Sequence, residues 1–309
     1  MGMQLNYRSR RSLFLSLLLG ALLGFGLGWV TASYTLQLPS TSMSDSEARA
    51  ALNRWEIDSA GQQADDGAKA LSELRKRMGK AYDMLSAREQ AAPYSQLFWK
   101  YFAEGLYDKA FEVGTHADAI QQRDTDFVII YVAALAGRKD WLIKLEQTLS
   151  KERDGRRPFV RASLAWERKE WQEVVDLATQ SGGAEFPPLA VGNAEDAWFV
   201  LMKARALECL GNNQGAFDSY SKVMGRLAGG PVQLHVWTLA TQAARKVGDS
   251  ASELFLIAGY LRVSKAFQAD VSFAQERRRM LERAADLRGQ MNREQLHKVE
   301  EQIRQTFGE

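Results

Sequence analysis

The stretch Trp198–Met224 constrains the fold of this chain more than any other. Before Gly211, the residues Leu201, Ala204, Leu207 and Leu210 recur every three positions, along one slowly drifting side of a helix. Gly211, Asn212 and Asn213 tolerate the left-handed conformation that ends a helix. A second helix follows, with Ala216, Tyr220 and Val223 spaced four and three apart. The small Ala204 and Ala216 let the two helices approach, while Leu207 and Tyr220 fill the seam. The segment predicts a helical hairpin.

A chain of 309 residues, 46% apolar and 25% charged, can bury a sizeable core in one or two domains and is not a disordered polymer. Its net charge of +2 misleads. Arg8, Arg10 and Arg11 are the only charged side chains before Asp45, and without them the remainder carries −1. A nearly neutral body argues against a nucleic-acid protein, which needs a concentrated basic surface. The single cysteine, Cys209, excludes an intramolecular disulfide. Lying inside a predicted core helix, it reads as a packing residue.

No charge occurs between Arg11 and Asp45, and Leu13–Val30 is almost wholly apolar. A membrane-spanning helix needs about 20 such residues. The preceding arginines place the N-terminus in the cytoplasm and the body across the membrane. Three readings fit: a permanent signal anchor, a signal peptide cleaved near Val30-Thr31-Ala32, and a twin-arginine export signal at Ser9–Phe14. The anchor is the one adopted here. Gly20, Gly24 and Gly28 fall on one helix face, which either packs a second membrane helix or reflects ordinary glycine usage there.

In the body, Ser44-Asp45-Ser46-Glu47 fits a capping box, with Ala48, Ala51, Leu52 and Trp55 on the apolar side that follows. After Asp65-Asp66 a second helix carries the stripe Leu71, Leu74, Met78, Tyr82 and Leu85. Its other face holds Arg75, Lys76, Arg77 and Lys80, read as a solvated face or a contact for acidic headgroups or a partner. From Pro93 hairpins begin, with turns at Gly105, Gly137, Lys169, Gly211 and Gly248. These are 32, 32, 42 and 37 residues apart. The long gap holds Ser181–Glu195, read as an inserted loop. Phe273–Phe307 predicts one charged amphipathic helix whose stripe slips by a residue before Leu296, a polar cap for the last hairpin or a coiled-coil arm.

The hairpin at Gly211 resembles a tetratricopeptide repeat (TPR) in Ala204, Leu207, Gly211, Ala216 and Tyr220, and the turn spacing lies near that family's period of about 34 residues. The resemblance covers roughly Pro93–Leu261. It implies an all-α protein: one transmembrane helix, then a TPR-like α-solenoid closed by the C-terminal helix. The segments are a basic N-terminus (1–11), membrane helix (12–35), linker (36–46), helical pair (47–92), repeats (93–262) and charged helix (263–309). Such repeats bind proteins along a concave surface lined by the first helix of each hairpin. Carried over to this chain, that surface comprises Trp99, Phe102, Phe127, Tyr131, Arg156, Phe159, Trp166, Trp198, Arg205, Gln242 and Arg245. The competing reading is that these aromatics fill gaps between hairpins.

Catalytic and metal patterns are weak. Glu294-Gln-Leu-His297 has the spacing of a di-iron half-site without its second copy. Ser219-Tyr-Ser-Lys222 has the spacing of penicillin-recognising enzymes without their companion motifs. No cofactor, metal or enzymatic role is expected. The expected function is a single-pass inner-membrane scaffold or assembly factor with its body in the bacterial periplasm. Its partners would be other envelope proteins, the membrane itself and, through the glycine face, a second copy. An enzyme on a helical solenoid, such as a cell-wall glycosidase with a carboxylate pair, is the alternative.

Overall fold

A computed structural model describes residues 43–122, 125–149, 156–181, 194–224, 226–227, 230–267 and 270–308. The expected membrane helix with Gly20, Gly24 and Gly28, and most of the inserted loop, lie outside these residues. Among the described residues no helix is long and apolar enough to cross a membrane, and there is no strand.

The chain enters through the capping box. Ser44 N–H donates to Glu47 Oε2 at 2.8 Å and Glu47 N–H donates to Ser44 Oγ at 3.4 Å, opening α1 (Asp45–Ala60). Ala48, Leu52 and Trp55 turn inward, and the Trp55 indole donates to the Gly67 carbonyl of α2 (Ala64–Met78) at 3.0 Å. The apolar stripe predicted for one helix spans two. Gly79, at φ 52°, separates α2 from the single turn α3 (Lys80–Asp83). Leu71, Leu74, Met78, Tyr82 and Leu85 are nonetheless all buried. The next helix, α4 (Ala87–Ala103), starts at a second capping box, Ser86 with Glu89, so the hairpins begin before Pro93 rather than at it. Pro93 sits inside this helix and removes one of its hydrogen bonds.

Five hairpins follow: α4 with α5 (Tyr107–Gln121), α6 (Phe127–Leu135) with α7 (Lys139–Thr148), and α8 (Arg156–Glu167) with α9 (Trp171–Ser181). Then come α10 (Ala194–Cys209) with α11 (Asn213–Val223), and α12 (Gly230–Val247) with α13 (Ser250–Ser264). All five turns lie at the predicted residues and share one hydrogen-bond pattern. At Gly211, the glycine N–H donates to Glu208 C=O at 3.0 Å and the Asn212 N–H to Leu207 C=O at 2.9 Å. The same two bonds recur at Gly105, Gly137, Lys169 and Gly248, and the turn residue always has positive φ, from 60° at Lys169 to 82° at Gly248. This pattern satisfies the last carbonyls of a helix only if one residue goes left-handed, which glycine does at little cost.

The second helix of each hairpin packs on the first helix of the next, giving a solenoid-like stack of hairpins compatible with a TPR-like fold. Close approach is visible at Gly114, where an added Cβ would lie 2.5 Å from Ile129 Cδ1, and at Gly259, where it would strike the Trp237 ring. The predicted single C-terminal helix is two, α14 (Val271–Gln290) and α15 (Arg293–Phe307), separated by Met291 and Asn292, the latter forming a capping box with Gln295 in the first turn of α15. The one-residue slip in the stripe marks that break. Both helices lie on α13, and Phe307 stacks on Phe255 at 5.2 Å, so the pair covers the last hairpin instead of extending as an arm.

The stack also curls back on itself. First-hairpin helix α4 meets α12 and α14. Lys100, 1% exposed, donates to Gln62 C=O at 2.8 Å and pairs with Asp270 at 3.3 Å, and Ser272 donates to Glu104 at 3.0 Å.

A candidate functional site at the inner helix seam

The first helices α4, α6, α10 and α12 converge because the stack curls, and polar side chains meet where they do. Tyr131 on α6 has no exposed surface. Its hydroxyl accepts from Arg205 Nη1 of α10 at 3.0 Å and lies 3.2 Å from His235 Nε2 of α12. Burial, and after it the Arg205 charge, push His235 down to about 3, so the imidazole is neutral. Arg205 donates to the phenolic oxygen, and the hydroxyl and Nε2 share the hydrogen bond that joins α6 to α12. Burial raises Tyr131, more than the Arg205 charge lowers it.

Aromatic rings wall this cluster. The Arg205 guanidinium lies 5.1 Å from the Trp166 ring centre, Trp198 lies 5.5 Å from Tyr131, and Phe102 lies 4.9 Å from His235. One turn further along α10, Glu208 accepts from Tyr220 at 2.5 Å and pairs with Lys246 of α12 at 2.9 Å. Each group is held in one protonation state: tyrosines protonated, histidine neutral, arginine charged. The chemistry available is cross-linking of helices by buried hydrogen bonds. A cleft of about 160 Å³ opens beside the seam, lined by Phe102, Tyr107, His235, Tyr260, Ser272 and Glu276.

The chain matches no family model, and no curated protein is significantly similar to it. Its own geometry therefore carries the reading.

Of the residues expected along a groove, Phe102, Phe127, Tyr131, Phe159 and Trp198 are buried among one another and the neighbouring helices. They are interior, as in the gap-filling reading. Trp99, Arg156, Trp166 and Arg205 are half-buried, and Gln242 and Arg245 exposed. Arg156 reaches the Thr125 carbonyl at 3.4 Å, and Arg245 is tied to Glu253 at 2.7 Å. Cys209 corrects another expectation. It is exposed, because it ends α10 where the helix leaves the core.

Sequence reasoning missed His235, Glu253 and Lys100. The signal for His235 was register: it precedes Gly248 by as many residues as Trp198 precedes Gly211.

Proposed function

We propose that this protein is a membrane-tethered TPR-like scaffold or assembly factor of a bacterial envelope. In this reading its N-terminal run is held in the inner membrane and its hairpins bind other envelope proteins in the periplasm. The observation that carries the reading is the row of five hairpins closed by one turn pattern, in a chain that opens with a charge-free run preceded by three arginines. A stack of this kind offers many side chains at regular spacing on a rigid support, which suits recognition of extended partner surfaces. The contacts proposed for a partner are the surface-reaching members of the expected set: Trp99, Arg156, Trp166, Gln242 and Arg245. Tryptophan and arginine dominate the energetics of such interfaces. The glycine face at Gly20, Gly24 and Gly28 would pair two membrane segments, and Gly24→Leu should then weaken their association.

The test is photo-crosslinking in intact cells, with the reactive residue at Gln242 or Trp99 and, as control, at exposed Gln214 on α11. Discrete adducts to envelope proteins at the first two positions and none at the third are expected. Equal labelling at all three would sink the surface. Reporter fusions after Ser46 test the tether and should be active only outside the cytoplasm.

A further inference from the structure

The cleft beside the inner seam holds polar groups that the fold itself leaves unused. Tyr260 of α13 lines it and is 1% exposed. Its hydroxyl makes no hydrogen bond among the described residues, yet it is not sealed from solvent. Burial, and after it the Glu276 charge, push this phenol up to about 12, so it keeps its proton. Tyr107 of α5 lines the same cleft with a hydroxyl that is also without a partner. His235 uses Nε2 on the Tyr131 hydroxyl and keeps Nδ1, which no protein group meets. Polar groups buried without partners are destabilising. Here three of them open on one space.

Charge selects neither an anion nor a cation. Among the described residues no lysine or arginine lines the cleft, and its one carboxylate, Glu276, pairs with Arg279 at 3.4 Å. Arg277 opposes Glu276 at Tyr260, and Arg205 acts on His235 and Tyr107 across the Tyr131 hydroxyl. The hydrogen-bond inventory is more selective. Ser272 and Thr238 already donate, to Glu104 and to the Leu234 carbonyl, each at 3.0 Å. Their oxygens can only accept, whereas the phenols can donate or accept. A fitting ligand therefore donates at some points and accepts at others. Phe102 and Phe273 complete the wall with apolar rings. Water would meet the polar groups and leave those rings wet. An uncharged ring bearing several hydroxyls suits both, because its O–H groups donate and accept while its C–H faces lie on the aromatics.

We propose that this cleft binds one neutral sugar ring, with Tyr260, Tyr107 and His235 Nδ1 as its hydrogen-bonding groups and Phe102 and Phe273 as its walls. The inference stands apart from the tether and scaffold reading, since it needs neither a membrane nor a protein partner.

The test is saturation-transfer NMR on the full chain, kept in a detergent without a sugar head. The probes are glucose, galactose, mannose and N-acetylglucosamine, with glucuronate to report on charge and N-methylacetamide to report on a plain amide. Transfer to the ring protons of at least one neutral sugar is expected. Tyr260→Phe should weaken its affinity about fivefold, the worth of one hydrogen bond. That variant loses only an unpartnered hydroxyl, so its melting temperature should match the wild type. Absence of transfer to all four sugars, or transfer undiminished in Tyr260→Phe, overturns the site. Stronger binding of glucuronate than of any neutral sugar overturns the uncharged class, and N-methylacetamide binding as well as the sugars would make the ligand an amide instead. A melting temperature that falls in Tyr260→Phe would show that the hydroxyl already has a partner, and the proposal fails with it.

Discussion

Two neighbouring hairpins, those turning at Gly211 and Gly248, have the same backbone pattern and opposite contents. The residue five past the turn donates to the carbonyl one past it in both, Ala216 to Asn212 at 3.0 Å and Glu253 to Asp249 at 2.9 Å. Both are buried, at 0% and 1% exposure. One is a methyl group in an apolar seam. The other is a carboxylate gripped by Arg245 at 2.7 Å and by Arg283 of α14 at 2.8 Å. Thirteen residues before the turns stand Trp198 and His235, and both touch Tyr131. The turn sets the register, and the neighbour decides what the register holds. The hairpin at Gly211 meets another hairpin, whereas the one at Gly248 meets the capping pair, which supplies an arginine.

The largest expected effect comes from moving one content into the other frame. Ala216→Glu places a carboxylate where no cation waits and should cost about 3–5 kcal/mol, the range for an uncompensated buried charge. Glu253→Leu should cost less, about 2 kcal/mol or under, because Arg245 and Arg283 are partly exposed and rehydrate when released. Denaturant melts of both variants decide the matter. Equal losses would mean that the two arginines beside position 253 are not what sets the two positions apart.

A smaller effect separates Trp198 from His235. An unfolded histidine titrates near 6.5, whereas buried His235 sits at about 3. Below the upper value the unfolded chain binds a proton that the folded ring refuses, so stability falls as pH drops from there. The slope is up to about 1.4 kcal/mol per pH unit. His235→Gln keeps an amide for Tyr131 and should flatten the profile between about pH 6.5 and 5, relative to the wild type. Glu253 acts lower. Burial raises it, but hydrogen bonds from Arg283 and Arg245 together leave it below the ordinary 4.5. Its contribution is full above that value and is lost as pH falls through the folded pKa. A profile for His235→Gln that still tracks the wild type above pH 5 would show that the histidine is not the source.

The turns were legible in the sequence because a left-handed residue leaves a glycine behind at four of five positions. Stripes such as Leu71–Leu85 were legible as faces, but a 3.6-residue period runs on through the break at Gly79 and does not reveal it. The inner seam was not legible. The family resemblance puts Tyr131 and Phe102 on the concave side, but nothing in the local pattern says that α12 arrives to cover them, since that contact joins segments far apart in the chain. The exposure of Cys209 was missed for a related reason. Helical spacing gives a side, while the last turn of a helix can leave the core on any side.

The smallest effect concerns the one turn without glycine. Lys169 carries φ 60° with the same pair of hydrogen bonds, its own N–H to Trp166 C=O at 2.9 Å and the Glu170 N–H to Ala165 C=O at 3.0 Å. A side chain in that conformation costs roughly 1–2 kcal/mol. Glycine relieves the cost but gains freedom in the unfolded chain, so Lys169→Gly should stabilise by about 0.5–1 kcal/mol. The mirror change, Gly211→Ala, should destabilise by about 1 kcal/mol. Lys169 is exposed, which keeps packing out of the comparison. A melting temperature that rises in the first variant and falls in the second would show that the shared backbone pattern makes these hairpins equivalent. If Lys169→Gly instead lowers it, the lysine side chain contributes to its hairpin in a way that the turn geometry alone does not explain.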